Sequence, residues 1–223
     1  LIYSQAGDTV TLGTDEADRM YSVGIRAEQL DGGGGNDIIF GLGGNDRLLG
    51  RDGDDILYGD GNAPDPRMNG ADALNGGDGN DLMYGGGGRD GLTGGNGDDI
   101  LFGGTGNDLF IGGTGADTMH GDAGIDRFAF LNDGDHALGG TGADDFHFGW
   151  ARGDVWLDDY QPGVDQLDLP TTNFTVSGDG LTLLVDRNGG PDLTIHLSSA
   201  LDLGDITAFT GYLAFCWANP WSR

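Results

Sequence analysis

The feature that most restricts how this chain can fold is a nine-residue period. In register it reads GGGGNDIIF at 32–40, GLGGNDRLL at 41–49 and GRDGDDILY at 50–58. After an interruption come GGDGNDLMY at 76–84, GGGGRDGLT at 85–93, GGNGDDILF at 94–102, GGTGNDLFI at 103–111, GGTGADTMH at 112–120 and GDAGIDRFA at 121–129, with a last good copy, GGTGADDFH, at 139–147. The sixth-position aspartates are Asp37, Asp46, Asp55, Asp72, Asp81, Asp90, Asp99, Asp108, Asp117, Asp126, Asp135 and Asp144, nine apart except for a step of 17 between Asp55 and Asp72. That step is one repeat plus an eight-residue insertion around Asn62-Ala63-Pro64-Asp65-Pro66, a loop expected near 61–69. The unit at 130–138 keeps Asp135 but has Phe130 and Asp133 where the first and fourth glycines belong.

The spacing carries a physical meaning. Glycine reaches positive φ without steric cost, so six residues rich in it can close a tight turn. The next three residues suit a short strand whose middle side chain faces opposite to its neighbours. Those middle residues are Ile39, Leu48, Leu57, Leu74, Met83, Leu92, Leu101, Phe110, Met119, Phe128 and Phe146, all apolar, as an inward-facing core column requires. Collagen is excluded because glycine does not recur at every third position.

The motif Gly-Gly-x-Gly-x-Asp-x-U-x, with U a large apolar residue, resembles the calcium-binding nonapeptide of RTX (repeats-in-toxin) proteins. The resemblance covers residues 32–147. It implies an all-β fold, a right-handed parallel β-roll with two repeats per coil and an antiparallel β cap at the C-terminal end. It also implies that turn carbonyls and sixth-position carboxylates of successive coils hold calcium. The implied ligands are Gly33, Gly35 and Asp37; Gly44 and Asp46; Gly53 and Asp55; Asp72; Gly77, Gly79 and Asp81; Gly86, Gly88 and Asp90; Gly95, Gly97 and Asp99; Gly104, Gly106 and Asp108; Gly113, Gly115 and Asp117; Gly124 and Asp126; and Asp144. Roughly five to ten Ca2+ ions are expected. Asp72, beside the insertion, and Asp135, without its glycine frame, stand between ligand and simple turn former, a role common for aspartate.

In such a roll, aspartates 18 apart stack one strand spacing from each other, about 4.8 Å. Bare carboxylates at that distance repel by roughly 1 kcal/mol even in water. Hard carboxylate and carbonyl oxygens are the ligands calcium prefers. Coupled folding and metal binding is therefore expected, with the metal-free chain largely disordered. EF-hand and phosphate-loop readings fail, because no helical periodicity flanks the Asp-rich loops and no Gly-Lys-Ser/Thr occurs.

With two repeats per coil, alternate strands belong to opposite sheets. One outer face then carries Phe40, Tyr58, Tyr84 and Phe102, beside Ile38, Ile56, Leu82 and Ile100; the other is mixed. An apolar ladder of this kind is larger than a monomer usually exposes. Two readings are open: cover by residues 1–31 or an upstream domain, or a stacking platform for a partner or neutral saccharide.

The flanks depart from the repeat. Residues 1–31 read as degenerate repeats or an N-terminal cap that holds little calcium, with Asp18 and Met20 in the sixth and eighth places of GTDEADRMY. Residues 148–223 read as a C-terminal β cap and type I secretion signal region. There DVWLDDYQPGVDQLDL (154–169) resembles the segment that closes the roll in serralysin-type secreted proteins, on Asp158, Gly163, Asp165 and Asp168, with Tyr160 where phenylalanine is usual. FTVSGDGLTLLVD and DLTIHLSS alternate as antiparallel strands, LDLGDITAF (201–209) resembles the family's final helix or strand, and CWANPWSR departs from the usual terminus.

Composition narrows the function. Ten Lys and Arg against 37 Asp and Glu give a formal charge of −27, which disfavours nucleic acid and anionic membranes and favours cations. No apolar run is long enough for a spanning helix. Cys216 is the one cysteine, so no intramolecular disulfide forms. The histidines, His120, His136, His147 and His196, form no His-Glu-x-x-His, and no Gly-x-Ser-x-Gly occurs. The chain as given reads as no enzyme. Three readings stand: a calcium-driven folding module of a secreted, extracellular protein; the C-terminal part of a secreted protease, lipase or polysaccharide-modifying enzyme; or an extracellular adhesive or saccharide-binding protein.

Overall fold

Each repeat folds as a glycine-rich turn followed by a strand, and strands of alternate repeats collect into two sheets. The computed structural model describes residues 1–4, 10–61, 69–148, 153–169, 174–177, 179–186, 193–201 and 206–208. The described residues are all-β, with no helix among them. One sheet has twelve strands, in the spatial order β1 (Ile2–Tyr3), β3 (Arg19–Tyr21), β5 (Ile38–Leu42), β7 (Ile56–Asp60), β9 (Leu82–Gly88), β11 (Ile100–Gly106), β13 (Thr118–Ala123), β15 (His136–Leu138), β17 (Gly153–Leu157), β21 (Leu193–Leu197), β20 (Thr182–Val185), β19 (Phe174–Val176). The other has ten: β2 (Thr11–Leu12), β4 (Gln29–Gly34), β6 (Arg47–Asp52), β8 (Ala73–Asp78), β10 (Gly91–Asn96), β12 (Leu109–Thr114), β14 (Arg127–Ala129), β16 (Asp145–His147), β18 (Gln166–Leu169), β22 (Ile206–Ala208). The chain crosses from one sheet to the other at every turn, so two repeats make one coil of a parallel β-solenoid.

Register follows the sequence period. Ile38 pairs with Ile56, 18 residues on, and Gly91 with Leu109. Across the insertion, Leu57 pairs with Met83 and Leu48 with Leu74, so the sheets continue in phase. Residues 62–68 of the insertion lie outside the described residues. At its base the Asp60 carboxylate accepts the amides of Gly70 (3.0 Å) and Gly87 (2.8 Å), which ties both ends of the loop to the roll. The strands are longer than the expected triplet. β9 and β11 run on through the next glycines, because Gly86 and Gly104 pair in the same parallel ladder as the side-chain-bearing residues.

All eleven predicted inward residues are buried. Phe110, Phe128 and Phe146 stack inside the roll at 4.8 and 4.9 Å between centroids. Each fully buried side chain of this size contributes roughly 2 kcal/mol of apolar burial. That offsets the entropy of ordering a chain so rich in glycine.

Residues 1–31 add rungs to the roll. β1 pairs β3 and β2 pairs β4, both parallel, and Met20 and Leu30 are fully buried. At the other end β17 and β18 still pair in parallel with β15 and β16. Antiparallel pairing begins only with β19, β20 and β21, and β21 also lies parallel to β17.

The glycines at the second and fourth places hold the turns. All fifteen expected as ligands, from Gly33 to Gly124, have positive φ, between 90° and 157°. A Cβ on Gly106, at φ 131°, would also collide with the carbonyl oxygen of Gly88 in the coil before. Gly106→Ala is therefore expected to cost about 2 kcal/mol or more, read as a lower urea midpoint at saturating calcium; an unchanged midpoint would show that the turn can re-form without its glycine.

Candidate metal centre

The sixth-position aspartates stand in two columns, one along each line of turns, and both columns are buried. In each, one carboxylate oxygen has a fixed partner. Oδ1 of Asp55 accepts the amide of Asp37 at 2.7 Å, Oδ1 of Asp81 that of Asp55, Oδ1 of Asp99 that of Asp81 and Oδ1 of Asp117 that of Asp99. The second column repeats this through Asp46, Asp72, Asp90, Asp108, Asp126 and Asp144. Each side chain thus reaches back one coil.

The second oxygen is different. Oδ2 of Asp37, Asp46, Asp55, Asp72, Asp81, Asp90, Asp99, Asp108, Asp117, Asp126 and Asp144 is buried without a hydrogen-bond partner. A single orphaned buried carboxylate oxygen is costly, and eleven in a folded chain call for a compensating group. These oxygens press against the first glycine of their own repeat. A Cβ on Gly121 would lie 2.5 Å from both Asp126 Oδ2 and the carbonyl oxygen of Gly139, and one on Gly59 2.5 Å from both Asp72 Oδ2 and the carbonyl oxygen of Gly85. Carboxylate and carbonyl oxygens from two coils therefore share a cradle that only glycine leaves open. This donor set fits calcium.

Burial pushes these carboxyls far above the usual aspartate range: Asp72 and Asp90 to about 8; Asp46, Asp55, Asp99 and Asp126 to about 7; Asp81, Asp108 and Asp144 to about 6. Asp37 and Asp117 are raised for the same reason. The backbone hydrogen bond lowers each, and neighbouring carboxylates add a smaller upward push. Removal from water, more than mutual repulsion, is what makes the bare array unfavourable.

Two doubtful positions separate cleanly. Asp72 has the same geometry as its neighbours, with Oδ1 on the Asp46 amide at 2.7 Å and Oδ2 orphaned. In Asp135 both oxygens are taken, Oδ1 by the Asp117 amide (3.1 Å) and Oδ2 by the Asn132 amide (2.7 Å). Asp165 follows Asp135, accepting from Asp144 and Gln161. Asp18 accepts from the Thr14 amide and hydroxyl. Three of the four column ends are thus aspartates that cap turns, and at the fourth the Glu28 amide donates to Asp46 Oδ1.

The sequence reading missed two further sets. First-position glycines such as Gly59, Gly85 and Gly121 make room for the carboxylates, a role their place in the motif could have suggested. Fifth-position side chains form a second ladder: Asn36 Oδ1 accepts the Asp54 amide, Asp54 that of Asn80, Asn80 that of Asp98 and Asp98 that of Ala116. This ladder reaches forward one coil, opposite in sense to the sixth-position columns.

The outer aromatic ladder is longer than expected. Tyr3, Tyr21, Phe40, Tyr58, Tyr84, Phe102 and His120 stack in series, with centroids 4.6–5.4 Å apart. The described residues before 31 lengthen it by Tyr3 and Tyr21. Because ring faces lie on ring faces, the inner rungs offer solvent only edges and tyrosine hydroxyls. The stacking platform expected for a saccharide is reduced accordingly. His136, Trp156 and His196 form a second stack, and His147 lies between Asp145 and Asp168. Cys216 lies outside the described residues.

Comparison with protein families agrees with this geometry. Residues 31–63, 68–92 and 93–128 match the family model for the RTX calcium-binding nonapeptide repeat (4 copies). These segments carry the RTX calcium-binding nonapeptide repeat, and the fold that they build is a parallel β-roll. That family is a structural calcium-binding repeat and not an enzyme family. A search of curated proteins gives no match.

Proposed function

We propose that the chain is a calcium-dependent folding module of a secreted protein, unfolded while it is exported by a type I channel and folded outside the cell. The observation that carries this is the set of eleven orphaned Oδ2 atoms, one in each repeat from Asp37 to Asp144 except that of Asp135. Calcium, when bound, supplies the positive charge that these oxygens and the turn carbonyls lack. The ligands are the sixth-position aspartates from Asp37 to Asp126, with Asp144, and the turn glycines that accompany them. Asp135 belongs to the turns. No helix among the described residues is long and apolar enough to cross a membrane. Weak sites of about 10⁻⁴–10⁻³ M would stay empty in the cytosol and fill outside.

Far-UV circular dichroism of the metal-stripped chain, followed by a calcium titration, tests this. The expected result is a disordered spectrum that turns cooperatively to β-structure in the sub-millimolar to millimolar range. A β spectrum indifferent to calcium would reduce the aspartates to turn formers. Complete folding at sub-micromolar calcium would remove the export switch while leaving calcium binding intact.

A further inference from the structure

Among the described residues the outer ladder brings two pairs of tyrosines into ring contact, Tyr3 with Tyr21 and Tyr58 with Tyr84. The second pair lies at mid-roll. Tyr58 of β7 and Tyr84 of β9 are cross-strand partners, although the insertion separates them in sequence. Their centroids are 5.0 Å apart and their planes within 3° of parallel. Aromatic pairs free to choose prefer offset or edge-to-face contact. Here the in-register strands, with Leu57 and Met83 fully buried beside the tyrosines, hold the rings face to face. Both tyrosines are half-buried.

The rungs on either side isolate this pair. Phe40 lies on the other face of Tyr58 at 4.9 Å, and Phe102 on the other face of Tyr84 at 5.0 Å. Phenylalanine has no hydroxyl and forms no phenoxyl radical, so within the stack each of the two tyrosines has only the other to react with. The Phe40 ring likewise separates Tyr21 from Tyr58.

We propose that Tyr58 and Tyr84 form an oxidative cross-linking site, closed by hydrogen peroxide acting through a haem peroxidase. Each phenol gives up its O–H hydrogen, as one electron and one proton, and becomes a phenoxyl radical with spin density on the carbons ortho to oxygen. That density lies in orbitals perpendicular to the ring, so two rings held face to face are already oriented for the new bond. An ortho carbon of Tyr58 bonds to an ortho carbon of Tyr84. The hydrogens on those carbons then leave as protons, the two oxygens take up protons, and both rings become aromatic again. In balance the pair loses two hydrogen atoms and the peroxide becomes two waters. The product staples β7 to β9 across the insertion and, as a cross-link between residues distant in sequence, restricts the unfolded chain. Coils joined in this way hold together at calcium concentrations at which the unmodified roll comes apart, a consequence that rests on the calcium-dependent folding proposed above.

The full chain in saturating calcium, treated at low protein concentration with peroxide and a haem peroxidase, tests this. The expected product shows dityrosine fluorescence, has the mass of one chain less two hydrogen atoms, and releases on proteolysis a peptide that joins the segments of Tyr58 and Tyr84. Tyr58→Phe and Tyr84→Phe are each expected to abolish that peptide and to fold as before, because Phe40 and Phe102 already hold equivalent rungs. Tyr3→Phe is expected to leave it in place. The cross-linked chain should fold at a calcium concentration several-fold lower, and an unchanged midpoint would remove the stapling role. A chain whose dichroism shows the folded roll but which yields no linked peptide overturns the proposal and leaves the calcium reading standing. So does a chelator-treated chain that is unfolded by dichroism yet gives the peptide in equal yield, since the ladder would then contribute nothing. A chain that folds without regard to calcium would sink the calcium reading instead, and the linked peptide should then form with and without the metal.

Discussion

Asp90→Asn is expected to change the stability of the roll in opposite directions with and without calcium. In the native chain Oδ1 of Asp90 accepts the Asp72 amide at 2.8 Å, while Oδ2 is buried and orphaned, and both it and the Gly103 carbonyl oxygen face the place where a Cβ on Gly85 would stand. Asparagine keeps the acceptor and turns the orphaned oxygen into an amide that can donate to that carbonyl. Without calcium and above about pH 8, where the carboxyl is ionised, the variant therefore loses a buried charge and gains a hydrogen bond, and the roll should be stabilised by about 1–2 kcal/mol. With calcium it lacks a charged ligand, and the roll should be destabilised by about 3 kcal/mol. Asp135→Asn is the matched comparison. Both of its oxygens already accept amides, so the cost should be about 1 kcal/mol in either condition. Urea midpoints with saturating calcium, and with chelator plus sucrose to keep the metal-free roll populated, measure both. An Asp90→Asn midpoint that falls equally in both conditions would make the column a set of turn caps.

That contrast also shows what was readable from the sequence and what was not. The core column, from Ile39 to Phe146, was legible because one apolar place per repeat leaves an inward-facing strand residue no other position. The coil of two repeats was legible through its family and through the alternation of strand character, which kept Tyr58 and Tyr84 in register across the insertion. The chemistry of each carboxylate was not legible. Asp72 and Asp135 look equally irregular in sequence, yet the insertion beside Asp72 loops out and leaves its turn intact, whereas Asp133 and Gly134 re-form the turn of Asp135 so that the Asn132 amide reaches its free oxygen. The N-terminal end was legible only in part. Residues 1–31 keep only Gly7, Gly13 and Gly24 but hold Met20 and Leu30 on the inward side, and parallel pairing depends on that side chain more than on the turn. The ladder's face-to-face stacking was hidden as well. Periodicity puts rings in a row without fixing their planes, and the planes decide whether faces or edges meet solvent.

Acid should substitute in part for calcium. Without metal, the folded-state carboxyls of Asp72 and Asp90 sit at about 8, those of Asp46, Asp55, Asp99 and Asp126 at about 7, and those of Asp81, Asp108 and Asp144 at about 6, against an ordinary 3.8. Raised values mean that the folded chain binds more protons than the unfolded one. This contribution to stability is therefore fully present below about pH 4 and is lost as pH climbs through 6 to 8. The metal-stripped chain should gain β-structure on acidification from pH 8 to pH 5, the more so because its charge of −27 falls over the same range. Calcium should behave in the opposite sense. Protons and metal compete for the same oxygens in the folded chain, so the calcium affinity of the acid-folded roll should fall as pH drops toward 5. Dichroism of the stripped chain against pH, beside calcium titrations at several pH values, tests both arms. A stripped chain that stays unfolded down to pH 5 would show that burial does not control these carboxyls, and a calcium affinity of the acid-folded roll that ignores pH would show that they are not where calcium binds. The two arms depend on one property, a carboxylate column that the fold removes from water and that stays folded only when a proton or a cation neutralises it.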